Sequence, residues 1–217
     1  LIGGLAGDAQ TTANYTTAVG YSAGSAITTA LYNTVVGAVA LDANTTGAAN
    51  VAMGVSSLGG NTTGDNNTAL GTDALAFNTT ADNNTAVGYS SLKANTTGTE
   101  NVSLGSLSSD AGTIASYNVA VGHGALTTNV ASDKNTAIGH SALASLSASS
   151  QADGFNVAVG YVAGAAITTG TSNVLVGVGA GDAITTSSNN TAVGHVALGA
   201  NTTGTRNVAM GAYALDI

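Results

Sequence analysis

The stretch NTAVGYSSLKANTTGTENVSLG, residues 84–105, states one short motif twice: NTAVG at 84–88 returns as NVSLG at 101–105. The glycine that ends the motif recurs every 17 residues along the chain, with one step of 21 residues between Gly139 and Gly160. A fixed period of this kind is typical of architectures in which each unit stacks on its neighbours. Residues 1–217 are therefore predicted to form a single repeat array of about 12 coils.

The residues before each glycine predict a short strand. The residue directly before it is aliphatic, the residue two places earlier is Thr or Val, and the one between them is mostly Ala. β-Branched residues at i and i+2 favour a strand that shows one face to a core. We interpret the aliphatic residue before the glycine as facing that core. These predicted core residues are Val19, Val36, Leu70, Val87, Leu104, Val121, Ile138, Val159, Val176 and Val193.

Asparagine opens 11 of the 12 strands. At the strand spacing of about 4.8 Å, stacked asparagines can bond amide to amide along the array. The alternative is that Asn only tolerates a turn conformation, but Asp and Gly would serve a turn equally well and never occur there. We therefore favour a structural ladder. Its members are Asn33, Asn50, Asn67, Asn84, Asn101, Asn118, Asn135, Asn156, Asn173, Asn190 and Asn207.

The second half of the repeat supplies one large aliphatic residue per coil. Most coils have Leu four residues after the glycine and Asn three further on, as in Leu58 with Asn61, but three coils pair Gly with Ile, as in Gly24 with Ile27. Both places are predicted to face the same cavity, because cores tolerate swaps that keep volume. A Thr-Thr pair follows in most coils and suits a second strand. A single helical turn after the glycine stays open; a long helix does not fit. The fold predicted is an all-β parallel β-solenoid.

The 21-residue coil at 139–160 lacks the Thr-Thr pair, and its extra residues lie between Ala144 and Phe155. Added residues in a solenoid are best tolerated at a solvent-facing corner. We predict a bulge centred on 147–153 with Asn135, Asn156 and Asn173 still in register. This bulge is a candidate contact loop, with Ser147, Ser150, Gln151 and Asp153 as its residues.

Charge argues for self-association. Only 6% of residues are charged, against about 25% in ordinary soluble proteins. A thin rod of about 58 Å has a large surface for its volume and should need more charge, so we expect other chains to cover part of that surface. The alanines at the strand centre (such as Ala86) and three residues past the glycine (such as Ala125) are predicted to form flat faces against another chain. A net charge of −8 argues against nucleic acid, and no apolar run is long enough to span a membrane. Both ends fall within a repeat, so we expect a fragment of a longer chain.

Few residues suggest chemistry. His123, His140 and His195 each follow an anchoring glycine and could hold a metal in an oligomer, but Tyr occupies the same place elsewhere, which favours a planar side chain covering the coil edge. Asp65 and Asp82 match across adjacent coils; calcium is conceivable there, but solvated turn acids fit better. Sets of residues typical of catalysis are absent, so we expect neither an enzyme nor a cofactor.

The units NTAVG, NVAVG and NTAIG with their Gly/Ser/Asn/Thr-rich connections resemble the YadA-like head repeats of trimeric autotransporter adhesins, and are similar to repeats of bacteriophage tail fibres. The resemblance implies a left-handed β-roll, a parallel homotrimer, and an extracellular or virion-borne fibre that attaches to a host-surface glycan or protein receptor. The coil of 17 residues is longer than the usual head repeat. The alternative is an ice-binding or other Thr-rich surface-binding solenoid, although adjacent threonines point opposite ways along a strand.

Overall fold

The computed structural model describes residues 1–12, 15–147 and 151–216. It is an all-β parallel β-solenoid of about eleven turns, with coils of about 17 residues and no helix among the described residues. Twelve three-residue strands form one sheet in chain order, and two two-residue strands, β8 and β10, pair separately. The strands are β1 Thr17–Val19, β2 Thr34–Val36, β3 Val51–Met53, β4 Thr68–Leu70, β5 Thr85–Val87, β6 Val102–Leu104, β7 Val119–Val121, β8 Ser132–Asp133, β9 Thr136–Ile138, β10 Ala152–Asp153, β11 Val157–Val159, β12 Val174–Val176, β13 Thr191–Val193 and β14 Val208–Met210.

Strand register is constant along the sheet, so each position of the repeat forms a column. The longer coil keeps this register, because Thr136 pairs with Val157 and Ile138 with Val159. Three of the four extra residues lie between Ser147 and Ala152, and the fourth lies between Asp153 and Asn156, because Ala152 pairs with Ser132 whereas Asn156 bonds to Asn135. Residues 148–150 of the predicted bulge, including Ser150, lie outside the described residues.

The strand centre faces the core, which corrects the interpretation of the sequence. Ala86, Ala120 and the other central residues are buried, whereas the aliphatic residues before the glycines point outward. The reason is space: the leucine or isoleucine of the opposite segment fills the narrow coil, and in most coils only a small side chain fits beside it. The residues reassigned from the core to the outside are Val19, Val36, Leu70, Val87, Leu104, Val121, Ile138, Val159, Val176 and Val193.

The alanine columns are interior rather than flat outer faces. The alanines at the strand centre and three residues past the glycine are fully buried within the single chain, so they offer no surface to another chain. That prediction is wrong for each of the alanines on which it rested. They are Ala86, Ala120, Ala137, Ala125, Ala142 and Ala197.

The exchange of Leu for Ile between two positions does fill one cavity. Leu58 and Ile27 are both fully buried, and a Cβ added at Gly24 would lie 2.8 Å from the Cδ1 atom of Ile27. Leu175 fills the same space from the strand. It replaces alanine at a strand centre, and a Cβ at Gly181, where other coils have leucine, would lie 2.8 Å from its Cδ2 atom. The total side-chain volume per coil is thus conserved although its source changes.

The anchoring glycines form a close backbone contact between successive coils. Gly88 has a φ of +130°, and a Cβ there would lie 2.6 Å from the carbonyl oxygen of Gly105 in the next coil. Glycine is needed for both the conformation and the close approach. Beyond this corner the Thr-Thr pairs form bends and not the second strand that the sequence suggested. The N–H groups of Thr62 and Thr63 share a single acceptor, the carbonyl of Thr79, which is not a strand ladder.

A polar layer divides the hydrophobic core into two clusters, one ending at Leu92 and the other beginning at Ala120. The coil between them carries Ser109 and Gly112 where other coils carry Leu and Asn. The hydroxyl of the buried Ser108 lies 2.6 Å from that of Ser103, and this pair satisfies polar groups that would otherwise be costly inside. The glycine at 112 leaves a polar group without a partner, because the Oδ1 atom of Asn95 in the preceding coil is buried and has no hydrogen-bond partner among the described residues.

Candidate functional site

The outward side of the twelve-stranded sheet is a regular surface that runs along the described chain. We call it the strand face, and it consists of the first and third residues of each strand. Eleven steps of about 4.8 Å between the twelve strands give it a length of about 53 Å. One column holds Thr or Val and the other holds only aliphatic residues. The first column is Thr17, Thr34, Val51, Thr68, Thr85, Val102, Val119, Thr136, Val157, Val174, Thr191 and Val208; the second is the reassigned set together with Met53 and Met210.

The strand face is apolar and carries no charged residue in any of its twelve strands. Most of its side chains are half-buried by their neighbours in the column. The exposed members are Thr17, Met53, Val102, Ile138, Val174, Val208 and Met210. A long flat sheet surface of aliphatic side chains is a feature that soluble proteins normally cover with another surface. Its chemistry suits close packing against a similar surface.

The asparagine ladder fixes one edge of the strand face. The Oδ1 atom of Asn84 accepts hydrogen bonds from the backbone N–H and the Nδ2 group of Asn101, at 3.0 and 3.1 Å. The Nδ2 group of Asn84 donates to the carbonyl of Gly98 at 2.8 Å. Because donors and acceptors are satisfied within the core, this ladder is structural and is closed to ligands. The bonded column runs from Asn33 to Asn207.

A second ladder, which we call the inner asparagine ladder, runs through the asparagines in the second half of the repeat. The Nδ2 group of Asn61 donates to Asn44 Oδ1 at 3.1 Å, and Asn78 and Asn95 continue the series, each at 2.8 Å. The signal was present in the sequence as the Asn that follows Leu by three residues in six coils.

The histidines take part in an aromatic stack on the coil edge. The rings of His123 and His140 lie 5.2 Å apart, and His140 stacks on Tyr161 at the same distance. His195 instead meets Tyr213 edge to face at 5.1 Å. Parallel stacking at this distance offers the ring faces to one another, whereas a shared metal needs converging nitrogen atoms. In the described ranges no three or more His, Cys, Asp or Glu side chains lie together as a metal site.

The acidic turn residues accept hydrogen bonds from the backbone of the preceding coil. Asp65 Oδ1 accepts the N–H of Ala48, and Asp82 Oδ1 accepts the N–H of Asp65, both at 2.7 Å. Each carboxylate thereby ties its turn to that of the preceding coil. In the candidate contact loop, Ser147, Gln151 and Asp153 are exposed, and Asp153 forms an ion pair of 2.9 Å with Lys134.

Comparison with known proteins identifies no relative: no protein family, no curated protein and no solved structure matches this chain. Within the described ranges, the chain has no helix long and apolar enough to cross a bilayer.

Proposed function

We propose that this chain is a segment of a structural or adhesive fibre, carried on a virion or a cell surface, that supports attachment to a host or another surface. In this proposal three parallel copies stand side by side with their strand faces turned inward. The observation that carries it is the strand face itself, about 53 Å long and without charge. The resemblance of the repeats to YadA-like heads and tail-fibre repeats supports the same assignment.

The corrected orientation of the strand strengthens the physical case for association. The alanines that first suggested a contact are interior, but the side chains that replace them on the outside are larger and more apolar. Val87, Val121 and Val159 stand in one column that the single chain leaves half-exposed. Burying such aliphatic surface contributes about 25 cal/mol per Å², and three copies around one axis would cover all three faces at once. The role needs no catalytic residue.

Sedimentation equilibrium tests this proposal. A trimer has three times the chain mass of 20.7 kDa, about 62 kDa. The double variant Val87→Lys/Val121→Lys should dissociate to 20.7 kDa, because it places two charges per chain in the contact. The matched control Thr46→Lys/Thr80→Lys places the same charges in the exposed threonine column and should keep the trimer. A wild-type monomer, or equal masses for both variants, would remove the proposal.

Ice binding is the second candidate, and one observation favours it. Thr29, Thr46, Thr63, Thr80 and Thr97 form a column of exposed threonines on five consecutive coils. The neighbouring column does not add to it, because the Thr62 hydroxyl donates to the carbonyl of Thr79 at 3.0 Å, and its equivalents do likewise. Ice-recrystallisation inhibition by the wild type that is lost in Thr63→Ala/Thr80→Ala would favour this function over the fibre.

A further inference from the structure

A notch lies on the segment that follows the glycine corner. It has a volume of about 400 Å³, and its walls include Asp42, Asp73, Phe77 and Lys93. Its floor is the backbone of Gly59 and Gly60. We call it the glycine notch. Its size falls within the range of about 300–1,000 Å³ that is usual for small-molecule sites.

The notch exists because one coil lacks a layer of side chains. Gly59 and Gly60 occupy the positions of Ala76 and Phe77 in the next coil. The backbone of Gly59 is not left-handed, and a Cβ there would lie 3.3 Å from the nearest atom, the carbonyl oxygen of Ser56. The fold therefore has room for a side chain at 59, and glycine at that place opens the surface.

One wall of the notch is a carboxylate that no cation neutralises within the described chain. Asp42 takes part in neither of the ion pairs found there. Its Oδ1 atom lies 3.5 Å from the place of a Cβ on Gly59. Burial raises the pKa of the Asp42 carboxyl, while the backbone N–H groups of Asp42 and Ala43 lower it by hydrogen bonding. This wall is thus a strong hydrogen-bond acceptor with incomplete solvation.

Another wall of the notch is an exposed aromatic ring that lies beside an ion pair. The Phe77 side chain is 56% exposed. Lys93 Nζ lies 5.8 Å from its ring centroid and 2.8 Å from Asp73 Oδ2. The coil below presents only the backbone of Gly60 to the ring, so the ring is accessible from the notch.

This combination selects the chemical class of a ligand. A sugar ring has an apolar C–H face that packs on an aromatic ring and a rim of hydroxyls that both donate and accept hydrogen bonds. Phe77 offers the first surface, Asp42 an acceptor and Lys93 donors. An anion would meet two carboxylates, and a purely apolar ligand would leave three charged groups without water. We propose that the glycine notch binds one uncharged hexose unit.

The inference gives the proposed attachment role a contact site, and it rests on that role for its biological meaning. The notch lies on the segment after the glycine corner, so it stays open when the strand faces are covered. Binding at the notch is measurable whether or not the chains associate. A trimer that binds no hexose would contradict only the proposed hexose site. A monomer that binds hexose would contradict only the proposed trimer.

Saturation-transfer difference NMR with the methyl glycosides of glucose, galactose and mannose tests the proposal directly. At least one of the three should bind the wild-type protein. Phe77→Ala and Asp42→Asn should each weaken that binding about tenfold, as expected for the loss of one good contact. Gly59→Gln fills the notch with a neutral chain, in the position where Lys93 already stands in its own coil, and should abolish the signal.

Two matched controls separate the notch from general surface effects. Phe155 is an exposed aromatic residue with Lys134 Nζ 5.3 Å from its ring centroid, and Lys134 is ion-paired in the same way. Asp182 is a carboxyl whose pKa is likewise raised by burial. Phe155→Ala and Asp182→Asn should bind like the wild type. No signal with any of the three glycosides, or equal losses in controls and notch variants, would overturn the proposal. Phe77→Ala carries the test even if Gly59→Gln does not fold, because its side chain is exposed.

Discussion

Replacing Gly112 by asparagine is expected to stabilise the protein, because it would complete the inner asparagine ladder. Asn95 Nδ2 donates to Asn78 Oδ1 at 2.8 Å, but Asn95 Oδ1 is buried and finds no donor within the described chain. Gly112 occupies the next place in that column, and Asn129 the place after it. An asparagine at 112 could therefore donate to Asn95 and accept from Asn129.

The size of the gain follows from three contributions. A buried acceptor without a partner costs about 1–3 kcal/mol, which the new amide removes. Replacing glycine reduces the entropy of the unfolded chain, a gain of about 0.4–1 kcal/mol where the backbone is compatible, and the φ of Gly112 is not left-handed. Against this, the new Cβ would lie 3.2 Å from the carbonyl oxygen of Ser109 and 3.3 Å from that of Asn129. The net gain should be about 1–2 kcal/mol.

Urea unfolding followed by circular dichroism measures this gain. Gly112→Ala is the control, because it supplies the Cβ and the loss of unfolded-state entropy without an amide. Gly112→Asn should unfold at higher urea than both the wild type and the alanine variant. If the two variants unfolded at the same urea concentration, the ladder bond would contribute nothing and the reasoning would be refuted.

Three further predictions concern the corner, the core and the notch. Gly88→Ala should cost about 3 kcal/mol or more, because the φ is strained and the new Cβ clashes with the next coil. Gly124→Ala should cost only about 1 kcal/mol, because its φ of +64° is left-handed but its Cβ would lie 3.7 Å from the nearest atom. Equal melting temperatures for the two variants would contradict the tight corner. Leu75→Ala should cost about 2–5 kcal/mol because Leu75 is fully buried. In the dissociated chain, Val121→Ala should cost under about 1 kcal/mol, because Val121 lies on the outside of the strand. The reverse order in urea unfolding would mean that the aliphatic residue before the glycine faces the core after all. Burial raises the folded-state pKa of Asp42, so its contribution to stability is present below the unfolded pKa of about 3.9 and is lost as pH rises through the folded-state pKa. Asp42→Asn should therefore raise the melting temperature at neutral pH but not below the unfolded pKa. The same gain in melting temperature at both pH values would contradict this.

The sequence was sufficient to predict the period, the strands and the asparagine ladder at the start of the strands, because a repeated residue marks each of them. Asn84 and Asn101 open successive strands, and parallel stacking at constant register brings their amides together. The all-β parallel solenoid follows from the same periodicity. The predicted second strand is absent from the described residues, because the chain bends at the Thr-Thr pairs and the two threonine N–H groups of a pair share one carbonyl acceptor. Residue type alone does not reveal this geometry.

The inside and outside of the strand could not be read from β-branching. A three-residue strand with Val at both ends and Ala between fits either orientation, and hydrophobicity favours the wrong one. Side-chain volume was the better signal of which residue faces the core. Leu175 replaces alanine at a strand centre, and Gly164 and Gly181, which it contacts, stand where other coils have leucine. The notch was missed for a related reason, because Gly59 and Phe77 belong to different coils and meet only when the coils stack.

Thiol labelling tests the central claim, that copies of this chain cover the strand face. The chain has no cysteine, so Val121→Cys and Ala166→Cys each introduce a single reactive group at a position that is half-buried in the isolated chain. Val121 lies on the strand face and Ala166 on the segment after the glycine corner. The account predicts that a maleimide labels the cysteine at 121 far more slowly than the cysteine at 166, and that the two rates converge after denaturation. Equally fast labelling of both cysteines in the native protein would contradict it.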